Sequence, residues 1–512
     1  MNKKVKSIII IFLIILLLLV ILKSAWVCDD AYITFRTVDN FVNGYGLRWN
    51  VIERVQSYTS PLWMFLISFF YFFTKEIYFT TIFVSIFITL MSVLLLARQY
   101  DFIWKILLII FLMSSKTFID FSTSGLENPL IYLLLVIFLI MYIKSKYTSK
   151  NLLKLTLISS LLALTRVDLL VFIILPLFYF TYKTYSKKEI IDIIKSLSFG
   201  FLPFIIWELF SLFYYGFPLA NTYYAKLNLV TPKIELFKQG LYYLIESTMF
   251  DPFLVIIILG VILPYFIKDK KFMFISNGIL LYTFFVLKAG GDFMNGRFLL
   301  AQFIASTFIL FYFLNNLKIK KGWKISIISI LIILILILSF LFSSTSPIFS
   351  KLLYKPVPFS DHGIADERSF YYYGTGLIFH DDRSDEITFG WVNEGKELRN
   401  KKGKLTVIHT NVGFLGYYAG PNVTIIDKLA LTDPLLARLD GPTSRPGHSM
   451  RQLPNGYFKS VFQNDILIED ENMATYYEKI KIITRGNLFD FNRLKEIIKM
   501  NLGLYEHLIN KK

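Results

Sequence analysis

Long apolar runs separated by short polar stretches fill the first two thirds of the chain. They fall near 8–26, 77–97, 102–119, 129–143, 152–165, 169–183, 196–215, 253–267, 272–289, 298–314 and 323–343. A helix crossing hydrocarbon needs roughly 20 such residues, so the pattern predicts about eleven transmembrane helices. The run at 61–74 is shorter and begins with Pro61. It is expected to be a helix lying at, or dipping into, the outer membrane surface. From about Thr345 onward no long apolar run recurs, and glycine, proline and charge return. The expected fold is mainly α: a polytopic helical bundle over 1–344, followed by a soluble α/β domain over 345–512. In that second part Leu405–His409 and Val423–Asp427 read as short strands around a glycine-bearing segment, Val412 to Gly420. Thr432-Asp433-Pro434 reads as a helix start, since a capping side chain precedes a proline. Residues 472–510 read as mostly helical.

Positive charge orients the runs. With 61–74 kept from crossing, Arg98, Lys144/Lys146/Lys150, Lys183/Lys187/Lys188, Lys268/Lys270/Lys271 and Lys318/Lys320/Lys321 all fall on one side. Lysine and arginine mark cytoplasmic loops, so the N-terminus with Lys3, Lys4 and Lys6 is expected inside and 345–512 outside. Ala25-Trp26-Val27 before Cys28 offers no small-x-small cleavage site and no lipobox, so the first run is expected to stay as an anchor. The expected location is the bacterial inner membrane, crossed many times.

Composition agrees. Hydrophobic residues make up 55% of the 512, charged residues 18%, and the mean hydropathy is +0.55. Soluble chains carry about a quarter charged residues, so a soluble enzyme, a coiled coil and a disordered chain are excluded. The net charge of +17 reads as anchoring toward anionic lipid rather than as a nucleic-acid surface. A single cysteine excludes a disulfide framework and a multi-thiolate zinc site.

The polar chemistry collects in the loops assigned to the outer face. The first reads Asp29-Asp30-Ala31-Tyr32-Ile33-Thr34-Phe35-Arg36, then Gly44-Tyr45-Gly46-Leu47-Arg48-Trp49-Asn50, then Tyr58-Thr59-Ser60-Pro61-Leu62-Trp63. Two adjacent carboxylates directly after a span are costly near lipid unless paired or functional. They raise one another's pKa while a cation such as Arg36 lowers it, so the pair suits a base or a metal; it equally suits a solvated helix cap. Later outer loops carry Glu127, Arg166 with Asp168, Asn221 to Lys226, and Asp292 with Arg297, whereas the cytoplasmic loops are plain lysine-rich turns. No Walker loop, GxGxxG or HExxH motif is present, and nucleotides are absent outside the cell membrane. A bond-making enzyme there would draw on an activated lipid, such as a polyprenyl-phosphate sugar. Asp361-His362 and His380-Asp381-Asp382 lack a third ligand at defined spacing, so no metal site is assigned.

The first-loop motifs resemble those of bacterial GT-C glycosyltransferases related to mycobacterial terminal arabinofuranosyltransferase. The resemblance continues in order through Gly125-Leu126-Glu127, Thr165-Arg166-Val167-Asp168, Asn221-Thr222-Tyr223-Tyr224-Ala225-Lys226 and Gly290-Gly291-Asp292 with Gly296-Arg297. It reaches the tail at Gly413-Phe414-Leu415-Gly416-Tyr417-Tyr418, Ile426-Asp427 and Leu431-Thr432-Asp433-Pro434 with Ala437-Arg438. It implies a GT-C core, a polyprenyl-phosphate sugar as donor, and a glycan or glycolipid acceptor of the cell envelope. Matching positions make Asp29 and Asp30 candidate catalytic residues, one of them a base toward the acceptor hydroxyl. Arg36, Arg166, Lys226 and Arg297 become candidates for the donor phosphate. Glu127, Asp168, Asn221, Tyr224 and Asp292 would shape the site. No further cofactor is assigned. A transporter or flippase of a lipid-linked saccharide is the competing class; it would place its ionisable groups near the bilayer midplane on broken helices.

Overall fold

The computed structural model describes residues 2–186, 189–227, 231–317, 321–342, 345–350, 360–378, 389–442 and 447–509. His380-Asp381-Asp382 and the loop lysines 187, 188, 318 and 320 lie outside the described residues. Helices dominate, and among the described residues the strands form one parallel pair, β1 (Leu405–His409) and β2 (Val423–Asp427).

Five described helices are long and apolar enough to cross a membrane: Lys3–Ser24, Ile77–Ala97, Ile190–Tyr214, Lys270–Ala289 and Arg297–Asn316. A sixth results if Lys233–Phe250 and Pro252–Ile267, which meet at 118°, count as one broken span. These are the helices of a multi-pass membrane protein. Among the described residues, fewer helices than the eleven expected meet that length. Lys321–Leu341 is a 21-residue helix, but Phe102–Ser114, Asn128–Lys144 and Leu169–Tyr185 are apolar and run only 13–17 residues, short of the roughly 20 a straight span needs. Pro61–Thr74, at 14 residues, belongs with them.

Two compact units alternate along the chain. One comprises Met1–Cys28, Thr81–Pro203 and Lys233–Asp385; the other comprises Asp29–Thr80, Phe204–Pro232 and Glu386–Lys512. The division differs from a single cut after 344. The first acidic loop groups with the C-terminal residues, and 345–385 groups with the apolar helices.

The first unit turns apolar side chains outward. Phe178, Phe266 and Phe284 are exposed while Thr156, Ser159 and Ser85 are buried, the inverse of a soluble core and natural for helices solvated by lipid. Two of these hydroxyls are satisfied by their own helix: Thr156 Oγ1 donates to Leu152 O at 2.7 Å and Ser159 Oγ to Leu155 O at 2.9 Å. The Leu169–Tyr185 and Lys270–Ala289 helices touch backbone to backbone at Gly278, where a Cβ would stand 2.3 Å from Phe172 O. Small residues permit this packing where no hydrophobic force drives helices together. Asp251 fixes the break in the bent pair. Its Oδ1 accepts from Phe253 N at 3.1 Å, and its Oδ2 accepts from Ser115 Oγ at 2.6 Å and Thr117 N at 2.8 Å.

In the second unit the strands pair in parallel from Leu405↔Val423 to His409↔Asp427. A parallel pair needs a crossover, supplied by the Phe414–Ala419 helix between them. Ile33, Trp49, Val412, Leu415, Val423 and Ile425 bury one face. Ile426, Leu435, Leu436, Tyr477, Ile480 and Ile483 form another core against the Glu471–Arg485 and Phe491–Asn501 helices. The helix expected after Thr432-Asp433-Pro434 is only a 3-10 turn, Leu436–Arg438. Asp433 does cap it, accepting from Leu435 N at 3.0 Å and Leu436 N at 2.8 Å. The chain turns extended at Leu439 and meets Gly441-Pro442 soon after, which stops a full helix.

Candidate functional site

In the second unit the acidic pair opens the Asp29–Val42 helix, where negative charge suits the positive end of the helix dipole. Asp29 is 6% exposed. Its Oδ1 accepts from Phe414 N at 2.7 Å and its Oδ2 from Gly413 N at 3.2 Å. One carboxylate thus sits at the start of two helices, its own and Phe414–Ala419. Burial pushes Asp29 up to about 7, against the pull of both N–H bonds, and the charge of Asp30 adds to the rise. A carboxyl poised near neutrality suits proton transfer. Asp30 is half-buried.

The same unit holds Arg36, which is 2% exposed. Its Nε donates to Trp49 O at 2.8 Å, its Nη1 to Gly416 O at 2.7 Å, and its Nη2 to Val423 O at 2.6 Å and Gly420 O at 3.3 Å. The guanidinium also lies 4.2 Å from the Trp49 ring centroid. Four of the five N–H groups an arginine carries therefore meet backbone carbonyls, where the motif resemblance implies a donor phosphate. Asn221 is likewise engaged, donating through Nδ2 to Ala430 O, Leu431 O and Asp433 O at 3.0–3.2 Å. Tyr224 is half-buried with its ring 4.7 Å from the Arg438 guanidinium. Lys226 is exposed on the short Asn221–Leu227 helix.

The first unit gathers Glu127, Asp168, Arg166, Asp292 and Arg297. Glu127 precedes the Asn128–Lys144 helix, Arg166 ends Ser149–Thr165, and Asp168 precedes Leu169–Tyr185. Each of these three groups is thus fixed by a helix end. Arg297 Nη2 stands 3.1 Å from Glu127 Oε1, and Arg166 Nη1 3.8 Å from the same oxygen. Arg166 forks onto Asp168, with Nε to Oδ1 at 3.1 Å and Nη2 to Oδ2 at 2.5 Å. Tyr282 Oη donates to that Oδ2 at 2.7 Å. Asp292 Oδ2 lies 3.6 Å from Arg297 Nη1. The Phe298 ring lies 4.3 Å from the Arg166 guanidinium and 5.8 Å from that of Arg297. Arg166 and Arg297 thus converge on one carboxylate, and three carboxylates surround the two guanidiniums.

A second buried network in this unit escapes a reading of the sequence. Lys116 bonds Asp120 and lies 3.3 Å from Asp366 Oδ2, while Arg368 Nε lies 3.6 Å from Asp120 Oδ1 and donates to Ser24 O at 2.9 Å. Lys116 and Asp120 are one helical turn apart, a local signal, but Asp366 and Arg368 join only through the fold. The structural role of Asn50 is equally hidden in the sequence. Its side chain accepts from Ile425 N and donates to Ile425 O, both at 3.0 Å, so it pairs with β2 as a neighbouring strand would. Among the described residues no group of three or more His, Cys, Asp and Glu side chains is disposed to hold a metal ion.

No protein-family model matches the chain, and no curated protein sequence matches it. Among solved structures it is similar to the crystal structure of the Archaeoglobus fulgidus oligosaccharyltransferase in complex with zinc and sulfate, at a TM-score of 0.41 and 10% sequence identity. The likeness covers 81% of this chain and 62% of that one, so the chain spans less than two thirds of the length of the protein it matches.

Proposed function

We propose that the chain is a membrane glycosyltransferase of the GT-C type, moving a sugar from a polyprenyl-phosphate donor to an extracytoplasmic glycan or glycolipid of the bacterial envelope. The observation that carries this reading is Asp29: a buried carboxyl raised to about 7, held by the N–H groups of Gly413 and Phe414, with Asp30 beside it. Asp29 positions the pair, and Asp30, the less buried of the two, takes the proton of the acceptor hydroxyl. The acceptor oxygen bonds to the anomeric carbon as the bond to the phosphate oxygen breaks, and the polyprenyl phosphate leaves with the electron pair. General-base assistance of this kind is worth about 10²–10⁴-fold. Arg166 and Arg297, both in the first unit, are the cations assigned to the donor phosphate. The in-order resemblance of the loop motifs supports the donor class. The lysine asymmetry supports an inner-membrane location with the N-terminus cytoplasmic and residues 345–512 outside.

The test is turnover of a synthetic lipid-phosphate sugar, with donor binding measured alongside. Asp30→Asn should lose most turnover and keep donor binding and thermal stability. Turnover equal to the parent in both Asp29→Asn and Asp30→Asn would sink the reading. A transporter of a lipid-linked saccharide is favoured by one observation, the bent pair Lys233–Phe250 and Pro252–Ile267. Reconstituted vesicles separate the two: a transporter moves the intact saccharide, whereas the enzyme releases the polyprenyl phosphate.

A further inference from the structure

The second unit contains a small pocket lined by Arg54, Tyr215, Phe217, Asn221, Tyr224 and Arg438. Arg438 is 7% exposed and lies against two rings, 3.9 Å from the Phe217 centroid and 4.7 Å from that of Tyr224. Its Nη1 donates to Pro434 O at 2.5 Å and Asn221 Oδ1 at 3.3 Å. Its Nη2 is buried and has no hydrogen-bond partner among the described residues. Arg54, 5% exposed, donates through Nε to Tyr214 O at 3.2 Å and through Nη2 to Gly486 O.

Among the described residues neither arginine has a carboxylate within ion-pairing distance. Glu53, next to Arg54 in sequence, pairs with Arg485 at 3.0 Å instead. Asp433 is occupied by Leu435 N, Leu436 N and Tyr457 Oη. The Asn221 amide nitrogen is committed to backbone carbonyls. An uncompensated buried charge costs several kcal/mol, and a guanidinium fork matches the two oxygens of a phosphate or carboxylate. Aromatic walls and two cations without a direct ion pair, Asp433 acting on Arg438 only from farther off, describe a receptor for a small anion.

We propose that this pocket binds a single oxyanion, a phosphate or carboxylate group carried on a saccharide or on a lipid headgroup. The inference stands independently of the glycosyltransferase reading, because its test reads binding and not turnover.

The full chain is placed in phosphatidylcholine nanodiscs at fixed ionic strength, and its Tm is followed against inorganic phosphate and against acetate, with chloride as control. A separate arm uses nanodiscs containing phosphatidic acid. A saturable rise in Tm with phosphate or acetate is expected for a group borne by a soluble saccharide. A rise confined to phosphatidic acid assigns the site to a lipid headgroup. Arg438→Gln should abolish the rise, and Arg54→Gln should weaken the apparent affinity about tenfold, the worth of one charge-assisted contact. Should Arg438→Gln fail to fold, Arg438→Lys keeps the charge but loses the fork, and a diminished rise supports the site. A Tm insensitive to all three anions means that Nη2 meets only water, and overturns the proposal. So does an anion response unchanged in both the Arg438→Lys and Arg54→Gln variants.

Discussion

Gly413 lies so close to Asp29 that a Cβ on it would stand 1.9 Å from the Asp29 carbonyl oxygen and 2.5 Å from its carboxyl carbon. Space, not backbone conformation, demands glycine there, because its φ is −73°. Any side chain must push the start of the Asp29–Val42 helix away and lengthen both N–H bonds to the carboxylate. Gly413→Ala should therefore destabilise the protein by about 1–3 kcal/mol, the cost of disturbing buried charged hydrogen bonds, and turnover should fall with it. Thermal melts and turnover on the same preparation check this; an unchanged melt would mean that the acidic pair is not anchored through Gly413.

The buried carboxyls of the second unit set a pH dependence. Asp29 and Asp433 are pushed up to about 7 and Asp427 to about 6, in each case chiefly by burial. Unfolded carboxyls titrate near 4, so between about pH 4 and 7 the folded state holds more protons than the unfolded state. Stability is then greatest at the acid end and falls as pH rises to about 7. A carboxyl that holds its proton one pH unit higher in the folded state than in the unfolded state changes stability by about 1.4 kcal/mol. The three groups together therefore act on the order of several kcal/mol. Melts from pH 4 to 8 should slope downward, and Asp29→Asn should be less steep. A flat or rising profile would show these carboxylates to be better solvated than their burial implies.

Legibility in the sequence depended on distance along the chain. Both strands were legible residue for residue, since Leu405–His409 and Val423–Asp427 are local apolar runs bounded by turn residues. The apolar helices were legible for the same reason. Their status as full spans was not, because a run such as 102–119 folds as Phe102–Ser114 and then a separate short helix, Lys116–Asp120, which begins after Ser115. The pairing of Arg166 with Asp168 was open to local reading. The partners of Arg36 were not: Gly416, Gly420 and Val423 lie 380 or more residues away, and nothing in a buried arginine's own sequence neighbourhood says that carbonyls will meet it. Motif residues such as Arg36, Asn50 and Asn221 thus tie distant segments of one unit together.

That role makes Arg36 a stability determinant. Lysine carries three donors on a flexible stem and cannot reproduce the planar fork, so Arg36→Lys leaves at least one buried carbonyl unsatisfied and should cost about 1–3 kcal/mol. Arg36→Met leaves all four carbonyls without their donors and should cost more. Donor affinity per folded molecule should be unchanged in Arg36→Lys. A selective loss of donor binding with normal stability would return Arg36 to the donor phosphate.

Glu127 tests the donor site from the opposite direction. Arg166 and Arg297 both face its Oε1, at 3.8 and 3.1 Å, and with Asp168 and Asp292 the cluster holds three carboxylates against two guanidiniums. A phosphate approaching Arg297 must compete with Glu127, since an excess of negative charge repels it. Arg166 is held independently by its fork onto Asp168, so it survives the loss of Glu127 in place. Glu127→Gln keeps the shape, removes one negative charge and leaves Arg297 with Asp292 at 3.6 Å. Breaking a buried pair destabilises by about 3–5 kcal/mol, so the melt should drop in the absence of donor. Donor should restore much of that loss, and its Kd should tighten by up to about tenfold, equivalent to one charge-assisted contact. Arg297→Gln should do the reverse and weaken donor binding by a similar factor. The decisive measurement is the donor Kd of Glu127→Gln at fixed ionic strength. If it rises instead, Glu127 holds the two arginines in register for the phosphate rather than competing with it; if neither substitution moves it, the phosphate lies elsewhere.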